Sequence, residues 1–78
     1  MSAANMRSRP TPAVDQIVRL VEHDPGHAAL VYVDRFRTRR GYPSRRFGYA
    51  AFYRAVYAGR IEARPHSTKS WFQAWFPV

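Results

Sequence analysis

Apolar positions in the chain repeat with helical spacing before they repeat with strand spacing. In "PAVDQIVRLVEH", residues 12 to 23, Val14, Ile17, Val18 and Val21 fall at i, i+3, i+4 and i+7. That spacing puts one apolar stripe on a helix. Thr11 is a candidate cap and Pro12 suits the first helical position, where a missing N–H costs nothing. Asp15 sits in the first turn, where the helix dipole favours a carboxylate. Asp24-Pro25-Gly26 should end this helix near His23, since proline and glycine both interrupt a helical backbone.

The next segment, "HAALVYVDRFRTRRG", admits two readings. Leu30 to Val33 is a continuous apolar run with two valines and a tyrosine, which suits a strand. The punctuation suits a helix: Asp24 as cap with Pro25 behind it, arginines in the last turn, and Gly41 where a left-handed cap would fall. Ala29, Leu30, Val33 and Phe36 also share a helical face. Signals at both ends agree, which favours a second helix over a strand for residues 28 to 36.

"GYP" is turn chemistry, and Ser44 is then a cap candidate for a third helix from Arg45 to about Ala58. Tyr49, Phe52, Tyr53, Val56 and Tyr57 recur at i, i+3, i+4, i+7 and i+8. That predicts an aromatic core face, with Phe47 joining the core. Gly48 and Ala50-Ala51 leave the other side flat, with Arg45, Arg46 and Arg54 projecting near it. Gly59 closes the helix. The tail, "RIEARPHSTKSWFQAWFPV", reads as a hairpin. Ile61 and Ala63 alternate with charged residues, "PHSTK" supplies the turn and "SWFQAWF" returns as a ring-rich strand. The predicted fold is α+β: three helices followed by a C-terminal β-hairpin, as one small basic domain over residues 12–78. Residues 1–11, polar and ending beside two prolines, are expected to form a disordered arm.

Composition narrows the chemistry. The 78 residues contain no cysteine, which excludes disulfides and thiolate metal sites and fits a reducing, cytoplasmic setting. No apolar run approaches the ~20 residues of a membrane span, and the first dozen residues lack the apolar core of a secretory signal. His23 and His27 are spaced i, i+4, but Pro25 and Gly26 break the helix a zinc pair would need. The five acids are scattered, and no nucleophile, glycine-rich phosphate loop or cofactor motif is present. Neither an enzyme nor a cofactor is expected.

Charge is the informative feature. Thirteen basic residues against five acids give a formal net charge of +8, and twelve of the thirteen are arginine. Residues 36 to 54, "FRTRRGYPSRRFGYAAFYR", hold six arginines and no acid. A solvated helix face usually mixes signs, because like charges one turn apart repel. A one-signed cluster of guanidinium forks suits a polyanion, above all phosphate. The expected partner is double-stranded DNA. Arg45 and Arg46 would act at the start of the third helix, and Arg54 further along it. Arg37, Arg39 and Arg40 would touch the flanking backbone, and Arg64, His66 and Lys69 the hairpin tip.

Helix, turn, helix, glycine and basic hairpin is the element order of a winged helix-turn-helix. Residues 53 to 63, "YRAVYAGRIEA", resemble the junction of recognition helix and wing in the excisionase and MerR-type small winged-helix families. The matching residues are Tyr53-Arg54, Ala55-Val56, Gly59, Arg60, Ile61 and Ala63, and "SRR" at 44 to 46 resembles the start of the same helix. Ser44 to Arg54 is longer than the family pattern, and residues 12 to 23 add a helix in front. The resemblance implies a transcriptional regulator, or a recombination directionality or architectural factor of phage or plasmid type. The alternative is a protein-binding module, such as a phage-encoded inhibitor of a host nucleic-acid enzyme. It would bind through Trp71 and Trp75, since both faces of "SWFQAWF" carry rings. Against that stands a purely structural use, with Trp71 and Trp75 under the first helix while Phe72 and Phe76 face the third.

Overall fold

A computed structural model describes residues 12–65 and 73–78. The expectations for the N-terminal arm, Thr11, His66, Lys69, Trp71 and Phe72 lie outside these residues. The chain forms α1 (Pro12–His23), α2 (Ala29–Arg40), α3 (Arg46–Tyr57), β1 (Ile61–Pro65) and β2 (Gln73–Pro77). This is the α+β arrangement of three helices and a hairpin. No described helix is long and apolar enough to cross a membrane.

α1 buries the stripe its spacing predicts, Val14, Ile17, Val18 and Val21, together with Leu20. α2 is a helix, and Gly41 ends it with φ 68°. There the Gly41 N–H donates to the Thr38 carbonyl at 3.2 Å and the Tyr42 N–H to the Arg37 carbonyl at 3.0 Å. Two details of α2 differ from expectation. Asp24 does not cap it: the helix starts at Ala29, behind an extended Ala28. The reason is tertiary, because His27 pairs with Trp75 of β2 in an antiparallel bridge. The Trp75 N–H donates to the His27 carbonyl at 3.0 Å, and the Gly26 N–H donates to the Trp75 carbonyl at 2.8 Å. The buried face of α2 is Tyr32, Val33 and Phe36, whereas Leu30 is 45% exposed. Tyr32 can go inside because its hydroxyl is satisfied there. It donates to the Asp24 carbonyl at 2.7 Å and accepts the His27 N–H at 3.1 Å. Burial pushes the phenol pKa above its ordinary value.

α3 carries the largest correction. Ser44 is not the cap; Arg45 holds that position in a helical conformation, without a side-chain cap. The buried face is Gly48, Ala51, Phe52 and Ala55; Phe52 was expected inside, whereas Gly48 and Ala51 belong to the side that the spacing of the rings assigned to solvent. Of the expected aromatic face, Phe52 alone is fully buried. Tyr49 and Val56 are half-buried, Tyr53 is 48% exposed and Tyr57 85%, and Phe47, also expected in the core, is 63% exposed. Packing distance explains the rotation. A Cβ at Gly48 would lie 2.9 Å from Val33 Cγ1 and 3.2 Å from the Val33 carbonyl oxygen, so α3 can meet α2 this closely only where α3 itself carries no side chain.

β1 and β2 pair antiparallel, with Ile61 opposite Pro77, Ala63 opposite Trp75 and Pro65 opposite Gln73. With the His27 bridge on its other edge, β2 is flanked on both sides. The indole of Trp75 meets Phe52 of α3 edge-on, with ring centroids 4.8 Å apart. Trp75 therefore packs on the third helix, while β2 also lies against α1, the side on which the structural reading of the tail put this ring; Phe76, expected to face the third helix, lies beside Gly26 in the turn after α1. Arg60 ties the start of the hairpin to α1 by donating to Asp15 at 2.6 Å.

Candidate nucleic-acid interface

The arginines divide according to what the fold offers them. Asp34, six residues before the end of α2, accepts from Arg37 Nε at 3.2 Å and Arg45 Nε at 3.3 Å. Those two guanidiniums, Arg37 first, hold its pKa below the usual carboxylate range. Arg37 also donates to the Tyr42 carbonyl at 3.1 Å. Asp24 accepts from Arg35 at 2.9 Å and from the His27 ring at 2.9 Å, and its pKa is lowered mainly by Arg35. Arg40 donates to Gln16 at 2.8 Å, and its guanidinium lies over the Phe36 ring, 4.8 Å from the centroid. Arg64 pairs with Glu62 and stacks on Phe76 at 4.7 Å.

The cluster is thus partly neutralised from within. Residues 36 to 54 hold no acid, but Asp34, just before them, reaches both Arg37 and Arg45, and Asp24 folds back onto Arg35. Arg37, Arg40 and Arg64 brace the domain. Arg39, Arg46 and Arg54 are exposed and make no ion pair or hydrogen bond among the described residues. Arg39 lies away from the other two, on the side of α2 that faces α1.

Arg46 and Arg54 share the outer face of α3. At about 100° per residue, Tyr53, Arg46, Tyr57, Ala50, Arg54 and Phe47 succeed one another across a single arc, opposite Gly48, Ala51, Phe52 and Ala55. Arg46, Ala50 and Arg54 form a row, a flat methyl between two extended cations. Tyr49 and Tyr53 stack along one border, with ring centroids 6.4 Å apart, and Phe47 meets Tyr42 at the start of the helix, 5.6 Å away. Arg45 adds a third cation beside the helix N-terminus, shared with Asp34.

Phe47, Tyr53 and Tyr57 belong to this surface although their spacing predicts a core face, while Ala50 lies on it as the flat side between the arginines. A signal was present: the buried ring of α3 is a phenylalanine, while positions 49, 53 and 57 are tyrosines, whose hydroxyls need water or a partner. Gly48, Ala51 and Ala55 also form a small-residue stripe at helical spacing. Among the described residues no group of three or more histidines and carboxylates gathers as a metal site would need. No protein-family model matches the chain, and comparison with curated proteins and with solved structures found no match.

Proposed function

We propose that this protein binds double-stranded DNA by laying the outer face of α3 in the major groove, with the hairpin alongside the backbone. The observation that carries the reading is the pair Arg46 and Arg54. Neither has an ion-pair partner among the described residues, and the helix that carries them is buried on its opposite side. They stand eight residues apart, about 12 Å along the axis, comparable with the ~12 Å width of the major groove and within reach of base edges three or four pairs apart. Ala50 between them lets the helix approach closely and can meet a thymine methyl. The first turn of α3 has no side-chain cap, so its backbone N–H groups remain available to a phosphate oxygen.

The path of the chain supports the same reading. Helix, His27 bridge, helix, helix and hairpin follow the order in which a winged helix-turn-helix presents its third helix. Gly59, at φ 71°, makes the tight junction that the excisionase and MerR-type resemblance would need between helix and wing. A regulatory or recombination-assisting role of phage or plasmid type goes with that resemblance.

The test is titration of a labelled duplex at several salt concentrations. The log–log slope is about −0.9 per phosphate neutralised, so loss of both arginines should flatten it by about two. Absence of binding by micromolar protein at low salt removes this reading. It would favour the inhibitor-type module instead, for which the exposed rings Phe47, Tyr53 and Tyr57 are anchors of the appropriate kind.

A further inference from the structure

A second cationic surface lies between α1 and α2. The helices run antiparallel there, since Arg40 reaches Gln16 at one end and Arg35 reaches Asp24 at the other. Between them is an open groove of about 830 Å³. Arg19 and His23 of α1 line one wall, Arg35 and Arg39 of α2 the other, with Leu20 and Pro12 as apolar surface. No residue of α3 takes part, so this face is distinct from the arc of Arg46 and Arg54.

Its charge is not neutralised from within. Asp15 and Asp24 also border the groove, but the first is bound to Arg60 and the second to Arg35 and His27. Arg19 and Arg39 are exposed and make no ion pair or hydrogen bond among the described residues. The groove is a slot between packed helices, whose axes typically lie ~8–10 Å apart. A duplex is a convex cylinder too wide to enter such a slot, whereas an extended peptide can lie in it.

A second copy of the chain is a poor occupant. Of its five acids, Asp15, Asp24, Asp34 and Glu62 are already bound to the chain's own arginines. That leaves Glu22 alone, a single carboxylate to set against the two guanidiniums and His23 of the groove. The occupant must bring its own acids. We propose that the α1–α2 groove docks a short acidic segment of a partner protein, whose carboxylates pair with Arg19 and Arg39 while an apolar side chain rests on Leu20. α1 is twelve residues long, ~18 Å at 1.5 Å per residue, which matches about five or six extended residues at ~3.3 Å each. Binding here and DNA binding on α3 are compatible, and neither depends on the other.

The probe is a fluorescein-labelled decapeptide of alternating aspartate and leucine, with an asparagine–leucine decapeptide as control, read by anisotropy on the full chain. Two double reversals are compared, Arg19→Glu/Arg39→Glu and Arg46→Glu/Arg54→Glu. Each turns two cations into two anions and takes the formal net charge from +8 to +4, so general attraction falls equally in both. The groove reversal should weaken the acidic peptide by about tenfold or more, the scale of losing two charge pairs at an interface. The α3 reversal should weaken it much less. Circular dichroism checks folding, and Arg19→Gln/Arg39→Gln replaces the groove reversal if that variant is unfolded, again with weaker binding expected. Equal losses in the two reversals, equal binding of the asparagine peptide, or displacement of the peptide by unlabelled duplex would each overturn the proposal. Loss of duplex binding in the α3 variant with peptide binding intact supports it.

Discussion

Gly48→Ala tests the orientation of α3 through the sign of a stability change. On a solvent-facing helix position, replacing glycine by alanine stabilises by about 1 kcal/mol, because glycine loses the most backbone freedom on folding. Gly48 instead faces α2. The added methyl would lie 2.9 Å from Val33 Cγ1, 3.2 Å from the Val33 carbonyl oxygen and 3.3 Å from Phe36 Cδ1. The first contact cannot be relieved cheaply, since Val33 is fully buried and a β-branched side chain in a helix has essentially one rotamer. The second involves backbone, so relief requires α3 to move away from α2. Overpacking of this kind costs about 1–3 kcal/mol. Set against the propensity gain, the net expectation is destabilisation by about 1 kcal/mol, a fall in Tm of about 4–8 °C for a domain of this size.

The assay is urea denaturation followed by circular dichroism, with the slope checked for constancy so that a shifted midpoint reports stability. Ala50→Gly on the outer face is the reference, expected to lose about 1 kcal/mol from propensity alone. Combining Gly48→Ala with Val33→Ala removes the closest contact, so the pair should be less destabilising than the sum of the singles. A rise in stability for Gly48→Ala would refute the packing. It would mean that the aromatic side of α3 faces the core after all, and the exposed Arg46–Ala50–Arg54 row would lose its basis.

Arg46→Ala and Arg54→Ala should each reduce the salt slope of duplex binding by about one; if Arg54 reads a guanine edge, its loss should also cost about 1–3 kcal/mol on the preferred site and relax specificity there, which comparison of selected and random duplexes will reveal. Asp34→Asn releases Arg37 and Arg45 from their shared carboxylate, so duplex affinity should rise and its salt dependence steepen, measured by the same titration. The lowered pKa values of Asp24 and Asp34 mean that the unfolded chain binds more protons than the folded one between the folded values and the ordinary value of about 3.9. Their stabilising contribution is therefore complete above that ordinary value and lost as the pH falls through the folded values, and Asp24→Asn/Asp34→Asn should flatten the acid limb of a stability–pH curve taken by urea denaturation. Trp75→Ala removes a half-buried ring from the edge of Phe52 and should cost about 2–3 kcal/mol, below the ~3–5 of a fully buried aromatic; an unchanged urea midpoint would show that the indole is not part of the core.

The sequence determined the elements of this protein. Val14, Ile17, Val18 and Val21 define α1 because local spacing alone puts them on one side. Gly41 and Gly59 end helices because their positive φ is open to glycine at no steric cost. Where charge accumulates was also legible, since net charge needs no folding to be counted. What the sequence left undetermined is which side of each element faces inward and which charges remain free, because both depend on residues distant along the chain. The start of α2 is delayed from Pro25 to Ala29 by the pairing of His27 with Trp75, 48 positions away (75 − 27). α3 turns its small residues inward because the backbone of α2 is close enough to demand it, which moves Tyr53, Tyr57 and Phe47 to the surface. Asp24 and Asp34 select Arg35, Arg37 and Arg45 as structural partners because folding brings their carboxylates within reach. Among the described residues no carboxylate pairs with Arg46 and Arg54 on α3 or with Arg19 and Arg39 in the α1–α2 groove, and that distribution exists only once the three helices have packed.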